Sequence, residues 1–235
     1  MRLYIAEARA MNSKPVSVSA STLNILAECP RCFYLHFHGV PRPRGAFPSL
    51  PGGLDLVIKE YCDSYRAGGK LPPLLDGKVP GKLADLPFRN MTYDHPATGL
   101  KVTGKLDECL ELPDGRFSPL DHKTRGSPPG SLHPSYRLQA SLYGALLKWN
   151  GYEIGDLAYF AYYSPVRGAA LHEGFPFEVK VLTCKVDLGY VENILRNAKE
   201  TLAMSAPPPP LTDCEFCEFA RRASGQSDQN RADRG

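Results

Sequence analysis

Lys105-Leu-Asp-Glu108 and Ser118-Pro-Leu-Asp-His-Lys-Thr124 decide how this chain is read. They set Asp107 and Asp121 on what read as adjacent strands, with Lys123 two residues after the second carboxylate. Mg²⁺ takes hard oxygen ligands and keeps several of its waters, so two carboxylates and a substrate phosphate suffice to hold it. Alternate side chains of a strand share a face, which turns Asp121 and Lys123 the same way. The lysine then stands beside a water polarised by the metal, a minimal apparatus for cleaving a phosphodiester. An isolated Asp-x-Lys triplet equally describes a solvated strand face carrying a cross-strand ion pair. The surroundings decide between the two.

A chain of 235 residues is long enough for one substantial core, and nothing in it forces two. The expected organisation is a single domain over residues 1–222, followed by a polar, disordered tail at 223–235. The hydrophobic fraction of 43% and charged fraction of 23% are those of a soluble globular protein. No run approaches the roughly 18 apolar residues of a membrane span. Met1-Arg-Leu-Tyr-Ile-Ala is too short an apolar run for a secretory signal, so a cytoplasmic location without membrane association is expected. A net charge of +3 does not announce a nucleic-acid partner. It is compatible with one, because an acidic metal site offsets a basic groove. The seven cysteines are odd in number and lack a secretory context, which favours metal binding over disulfides.

Outward from the central motif, Leu100 to Leu112 alternates as a strand, Pro113-Asp-Gly115 reads as a turn, and Phe117 to Lys123 returns as a second strand. After the Gly126–Gly130 loop, Tyr136 to Trp149 reads as a helix, Leu157 to Tyr163 and Phe177 to Val186 as strands, and Leu188 to Met204 as a long helix. Upstream, Ser19-Ala-Ser-Thr22 caps a helix that ends near Cys29-Pro-Arg-Cys32. Val40 to Gly53 reads as loop, Leu54 to Arg66 as an amphipathic helix, and Leu71 to Pro87 as a proline-rich stretch. Pro207 to Pro210 form a stiff spacer before Cys214. There is no internal repeat. Gln139 and Tyr143, four residues apart on the helix after the hairpin, share a face that can look into the cleft of Asp107, Asp121 and Lys123. The same spacing also fits Tyr143 as core alongside Leu138, Leu142 and Leu146.

Taken in order, Ser19-Ala-Ser-Thr-Leu-Asn-Ile-Leu-Ala-Glu-Cys-Pro-Arg-Cys-Phe-Tyr34, Gly104-Lys-Leu-Asp107, Leu120-Asp-His-Lys-Thr124 and Gln139-Ala-Ser-Leu-Tyr143 resemble the PD-(D/E)XK nucleases. Within them the resemblance is to the RecB-like branch that includes the CRISPR-associated adaptation exonucleases and AddB. It implies an α/β restriction-endonuclease-like core, a mixed central sheet flanked by helices, and a Mg²⁺- or Mn²⁺-dependent deoxyribonuclease. Asp107, Asp121 and the backbone carbonyl of His122 would hold the metal, Lys123 would position or activate water, and Gln139 and Tyr143 would match the branch's Gln-x-x-x-Tyr motif. The branch often supplies a histidine ligand from an early helix. The comparable stretch here, Gly52-Gly-Leu-Asp-Leu-Val-Ile-Lys-Glu60, has none. Asp55 can replace it as a hard oxygen ligand, with Glu60 a weaker substitute. Asp55 also fits as a helix-start charge favoured by the dipole.

Cys29-x-x-Cys32 and Cys214-x-x-Cys217 form two half-sites, each able to bring both sulfurs to one centre. Spacing alone leaves Zn²⁺ and an iron–sulfur cluster open. The resemblance implies a 4Fe–4S cluster joining the chain's ends, although the relatives commonly divide the ligands one and three rather than two and two. Cys62, Cys109 and Cys184 read as small buried residues. Arg31 and Arg125 are candidate phosphate contacts, and Arg221-Arg222 are weaker ones. The expected substrate is DNA, as ends or single strands, in repair, recombination, replication or CRISPR adaptation, where a protein partner is expected. The rival is a binding or scaffolding module of the same fold without turnover.

Overall fold

The computed structural model describes residues 15–43, 45, 49–86, 90–168, 170–172 and 174–224. In chain order its elements begin with β1 (Ser17–Val18), α1 (Ala20–Glu28), α2 (Pro30–Phe37), α3 (Ser49–Arg66) and β2 (Lys82–Leu83). There follow β3 (Asn90–His95), β4 (Leu100–Lys105), β5 (Glu108–Glu111), β6 (Phe117–Thr124) and α4 (Ser135–Trp149). The last are β7 (Leu157–Pro165), β8 (Phe177–Lys185), α5 (Leu188–Leu202) and α6 (Glu215–Ala223).

Strand β6 is the centre of a five-stranded mixed sheet ordered β2-β5-β6-β7-β8. Ser118 through His122 are all buried, as a strand covered on both faces requires. β5 and β6 pair antiparallel, with Glu108 opposite Leu120, across a turn that Gly115 closes at φ 82°. β6 and β7 run parallel, with Asp121 opposite Phe160 and Lys123 opposite Tyr162. Parallel neighbours need a crossover, and α4 supplies it. A smaller sheet, β1-β4-β3, lies beside this one.

The alternation of β6 sorts its side chains between two cores. Leu120 joins Ile58 and Cys62 of α3, Leu110, Ala161 and Tyr163 on one face. On the other face Phe160 and Tyr162 pack against Ala140 and Tyr136. Leu138, Leu142, Ala145 and Leu146 of α4 join Val102, Leu106, Leu195 and Phe33 in the largest core. Each fully buried leucine in such a stripe contributes roughly 1.5–3 kcal/mol. At the entry to α1, Ser19 Oγ accepts from Thr22 N–H at 3.4 Å while Ser19 N–H donates to Thr22 Oγ1 at 2.8 Å.

Three sequence expectations change. Leu100 to Leu112 is two strands in different sheets, broken at Leu106-Asp107. Asp107 therefore stands at a corner between sheets, not within a strand. Gly104, within β4, lets α4 pack close against the strand before the corner, because a Cβ there would lie 2.5 Å from Leu146 Cδ1 and 3.0 Å from Tyr143 Cε1. Helix α3 begins at Ser49, inside the expected loop, and runs through Gly52-Gly53. Pro51 is tolerated there because the first turn's N–H groups need no helical partner. Strands β1, β2 and β3 and helices α2 and α6 were not foreseen. The N-terminal run read for a secretory signal and nearly all of the expected polar tail, residues 1–14 and 225–235, lie outside the described residues.

Candidate active site

The break at Asp107 and the alternation of β6 bring five sequence-predicted residues to one place. Asp121 and Lys123 face α4, with the Lys123 ammonium against Asp121 Oδ2. The same ammonium lies 4.7 Å from the Tyr136 ring centroid, a cation–π contact that limits its freedom. From α4, Gln139 Nε2 donates to Asp121 Oδ1 at 2.7 Å and to the Tyr143 hydroxyl at 3.3 Å. Asp107 Oδ2 accepts from the backbone N–H of His122 at 3.2 Å, tying the corner to β6. The His122 side chain points to the opposite face, where its ring nitrogens lie 3.6 Å from Cys62 Sγ and 3.3 Å from the Tyr163 hydroxyl. Burial pushes that imidazole down to about 4, so it stays neutral.

One participant escaped the sequence reading. Lys59 of α3 donates to Asp107 Oδ1 at 2.8 Å and to Asp55 Oδ2 at 2.7 Å. The spacing of Asp55 and Lys59 by four on one helix was the available signal. Asp55 joins the cluster through Lys59, and Glu60 points to solvent. The ligand atoms of Asp55, Asp107 and Asp121 are not among the sets of three or more that lie within 4.8 Å of one another in the described residues.

The two central carboxyls are driven apart electrostatically. Burial works to raise Asp107, but the Lys59 ammonium and the His122 N–H overcome it and hold that carboxyl below the usual range. At Asp121, burial outweighs the Lys123 ammonium, and with Asp107 facing it the carboxyl is pushed up to about 7. Burial likewise pushes the Tyr143 phenol up to about 12. Two hard oxygen donors facing each other in a desolvated corner, one of them raised by burial despite its lysine, fit a divalent cation such as Mg²⁺.

At the other candidate centre, Cys29 and Cys214 stand at the N-caps of α2 and α6. Their half-sites interleave, with Cys29 and Cys217 sulfurs 3.7 Å apart, Cys32 and Cys214 3.6 Å, and Cys32 and Cys217 4.0 Å. All four sulfurs lie within 4.8 Å of one another. Zinc–thiolate bonds of about 2.3 Å put the corners of a tetrahedron about 3.8 Å apart, matching this set. A four-iron cluster seats each thiolate on a different iron and needs the sulfurs wider apart than one ion does. Burial raises the Cys32 thiol and pushes Cys217 up to about 12. At Cys214 burial is overcome by the Cys217 N–H and the neighbouring thiols, which draw it down to about 7. Arg42, also missed in the sequence, brings its guanidinium 3.9 Å from Cys214 Sγ and stacks 4.5 Å from the Phe216 ring centroid. Arg31 donates to the Pro208 carbonyl at 2.9 Å, and Arg125 is exposed just beyond β6.

Residues 75–222 match the family model described as the PD-(D/E)XK nuclease superfamily. No curated protein matches the sequence. Among solved structures, the crystal structure of SSO0001 is similar at 15% identity and TM-score 0.47, covering 93% of this chain and 91% of that one. The alkaline exonuclease LHK-Exo from Laribacter hongkongensis is similar at 12% identity and TM-score 0.41, covering 89% of this chain and 93% of that one. Its complex with dAMP gives 14% identity and the same TM-score over 88% and 93%. The family match covers more than half of the chain and contains Asp107, Asp121, Lys123, Gln139 and Tyr143: this chain belongs to the PD-(D/E)XK nuclease superfamily.

Proposed function

We propose that this protein is a Mg²⁺- or Mn²⁺-dependent deoxyribonuclease of the RecB-like branch, acting on DNA ends or single strands. The observation that carries the reading is the convergence of Asp107, Asp121, Lys123 and Gln139 at the corner between the two sheets. Asp107, Asp121 and the His122 carbonyl would hold the ion, which when bound supplies a Lewis acid that acidifies water and neutralises charge on the scissile phosphate. Lys123 orients the attacking water and steadies the charge that develops on the phosphate oxygens. Gln139 fixes the Asp121 carboxylate through a charge-assisted hydrogen bond, and Tyr143 fixes Gln139 in turn. Arg125, exposed next to this corner, is the nearer of the two proposed phosphate contacts in sequence. Repair, recombination, phage or CRISPR processing is the setting such an activity suits, with a protein partner and a cytoplasmic location. No helix among the described residues is long and apolar enough to cross a membrane.

The test is incubation of end-labelled single- and double-stranded DNA with Mg²⁺ or Mn²⁺, beside Lys123→Ala and Asp121→Ala. Cleavage by the wild type and its loss in both variants, with the fold retained, is the expected result. Wild-type cleavage that survives either substitution removes that residue from the machinery. Binding without any turnover favours the scaffolding module instead.

For the four cysteines, the sulfur spacing of 3.6 to 4.0 Å supports a single tetrahedral zinc over the 4Fe–4S cluster that the resemblance implied. The two-and-two division of ligands supports it further. Anaerobic purification with iron and zinc analysis decides: one zinc per chain and no visible absorption is expected, while four irons with a brown chromophore overturns the zinc assignment.

A further inference from the structure

We propose that Lys59 is a tethered cation standing where a second divalent ion would sit, so that the catalytic corner takes one divalent ion rather than two. The inference rests on the proposed metal site at Asp107 and Asp121. A bridging ion in a two-metal site binds carboxylates from separate elements. Here the Lys59 ammonium does so, 2.7 Å from Asp55 on its own helix and 2.8 Å from Asp107 at the β4–β5 corner.

The pairing is more than a surface contact. The Lys59 and Asp107 side chains are only 18% and 16% exposed, so solvent screens their charges weakly. Residues 55 and 59 lie one helical turn apart, but Asp107 is brought to Lys59 by the fold. Asp55, moreover, does not converge with Asp107 and Asp121 on one point within 4.8 Å. The cation that its carboxylate faces is the Lys59 ammonium.

Charge balance leads to the same place. Asp55, Asp107, Asp121, Lys59 and Lys123 carry a formal net charge of −1 when ionised. One divalent ion leaves a small positive charge for an anionic phosphate. A second, with Lys59 in place, would crowd four cationic centres, two divalent ions, Lys59 and Lys123, around three carboxylates. Lys59 thus acts as a positioning residue. It holds Asp55 and Asp107 apart from a second ion.

The test is a Mn²⁺ titration of the full chain with its cysteine site already loaded, counting bound ions from the loss of the free Mn²⁺ electron paramagnetic resonance signal. The wild type should bind one Mn²⁺. Lys59→Met should bind a second ion, or bind the first tighter by on the order of tenfold. Lys59→Arg, which restores the charge, should return to one ion at near wild-type affinity. Asp55→Asn should keep the single ion, and it guards the test should Lys59→Met fail to fold. Two ions in the wild type, no change in Lys59→Met with the circular dichroism spectrum retained, or loss of the ion in Asp55→Asn each overturns the role of Lys59. No ion bound by the wild type instead overturns the metal site at Asp107 and Asp121, and with it the nuclease reading.

Discussion

Replacing Asp121 by asparagine should abolish cleavage and at the same time stabilise the metal-free fold. The carboxyl is 4% exposed and is pushed from an ordinary 3.8 up to about 7, chiefly by burial. Each tenfold in the proton equilibrium is worth about 1.4 kcal/mol, so keeping Asp121 ionised at pH 8 costs the folded state about 4 kcal/mol. Asparagine resembles the neutral carboxyl and still accepts from Gln139, but turns an amide N–H toward Lys123. The net gain should be about 2–4 kcal/mol, or a rise in Tm of roughly 5–15 °C for a chain of this size. Between pH 3.8 and about 7 the folded state binds more protons here than the unfolded state does. Stability from this group therefore falls as pH rises through that window, and the advantage of asparagine should shrink below about 2 kcal/mol at pH 5. Thermal melts of both proteins at pH 5 and pH 8, in buffer without Mg²⁺ or Mn²⁺, measure it. A destabilised variant at pH 8, or a gain that does not change with pH, refutes the reasoning.

Other consequences are equally direct. Mn²⁺ should raise the wild-type Tm more at pH 8 than at pH 6, because a proton on Asp121 competes with the ion, and an equal or reversed effect removes Asp121 from the ion site. Gln139→Leu should lose the charge-assisted bond to Asp121, about 1.5–3 kcal/mol, and lower kcat by on the order of tenfold to a hundredfold; steady-state kinetics with unchanged kcat contradicts its role. Gly104→Ala would drive a methyl into Leu146 and Tyr143 at the corner, and denaturant melts should show a loss of about 1–3 kcal/mol. Cys32→Ser should abolish metal retention at the cysteine site and lower the unfolding free energy from guanidinium melts by several kcal/mol, measured alongside metal content.

Much of the site was legible because its residues obey local rules. Asp121 and Lys123 share a face by strand alternation, and Gln139 and Tyr143 by helical spacing, so their meeting needed only the βαβ crossover. Asp107 was identified but placed within a strand. Leu100 to Leu112 shows the short alternation of a strand, and the switch between sheets at Leu106-Asp107 is set by tertiary pairing without a local signature. Lys59 and Arg42 went unseen for a related reason. Each is an unremarkable basic residue in sequence, and each acquires its partners from an element far along the chain. The short strands β1 and β2, two residues each, exist only because longer strands lie beside them. The start of α3 was hidden by Gly52-Gly53, whose low helix propensity is overridden by packing of Ile58 and Cys62.

The interleaving of the cysteine half-sites has a topological consequence. Cys29 and Cys217 are 188 residues apart in sequence and 3.7 Å apart in space, so a bound ion makes the intervening polypeptide one closed loop. A permanent cross-link over such a span lowers the entropy of the unfolded chain by the equivalent of about 5 kcal/mol. With a metal held by the four thiolates, the link would be a coordination bond, opened by ligand exchange instead of reduction. Resistance to unfolding would thereby be coupled to metal supply, and a chelator would release both ends of the loop at once.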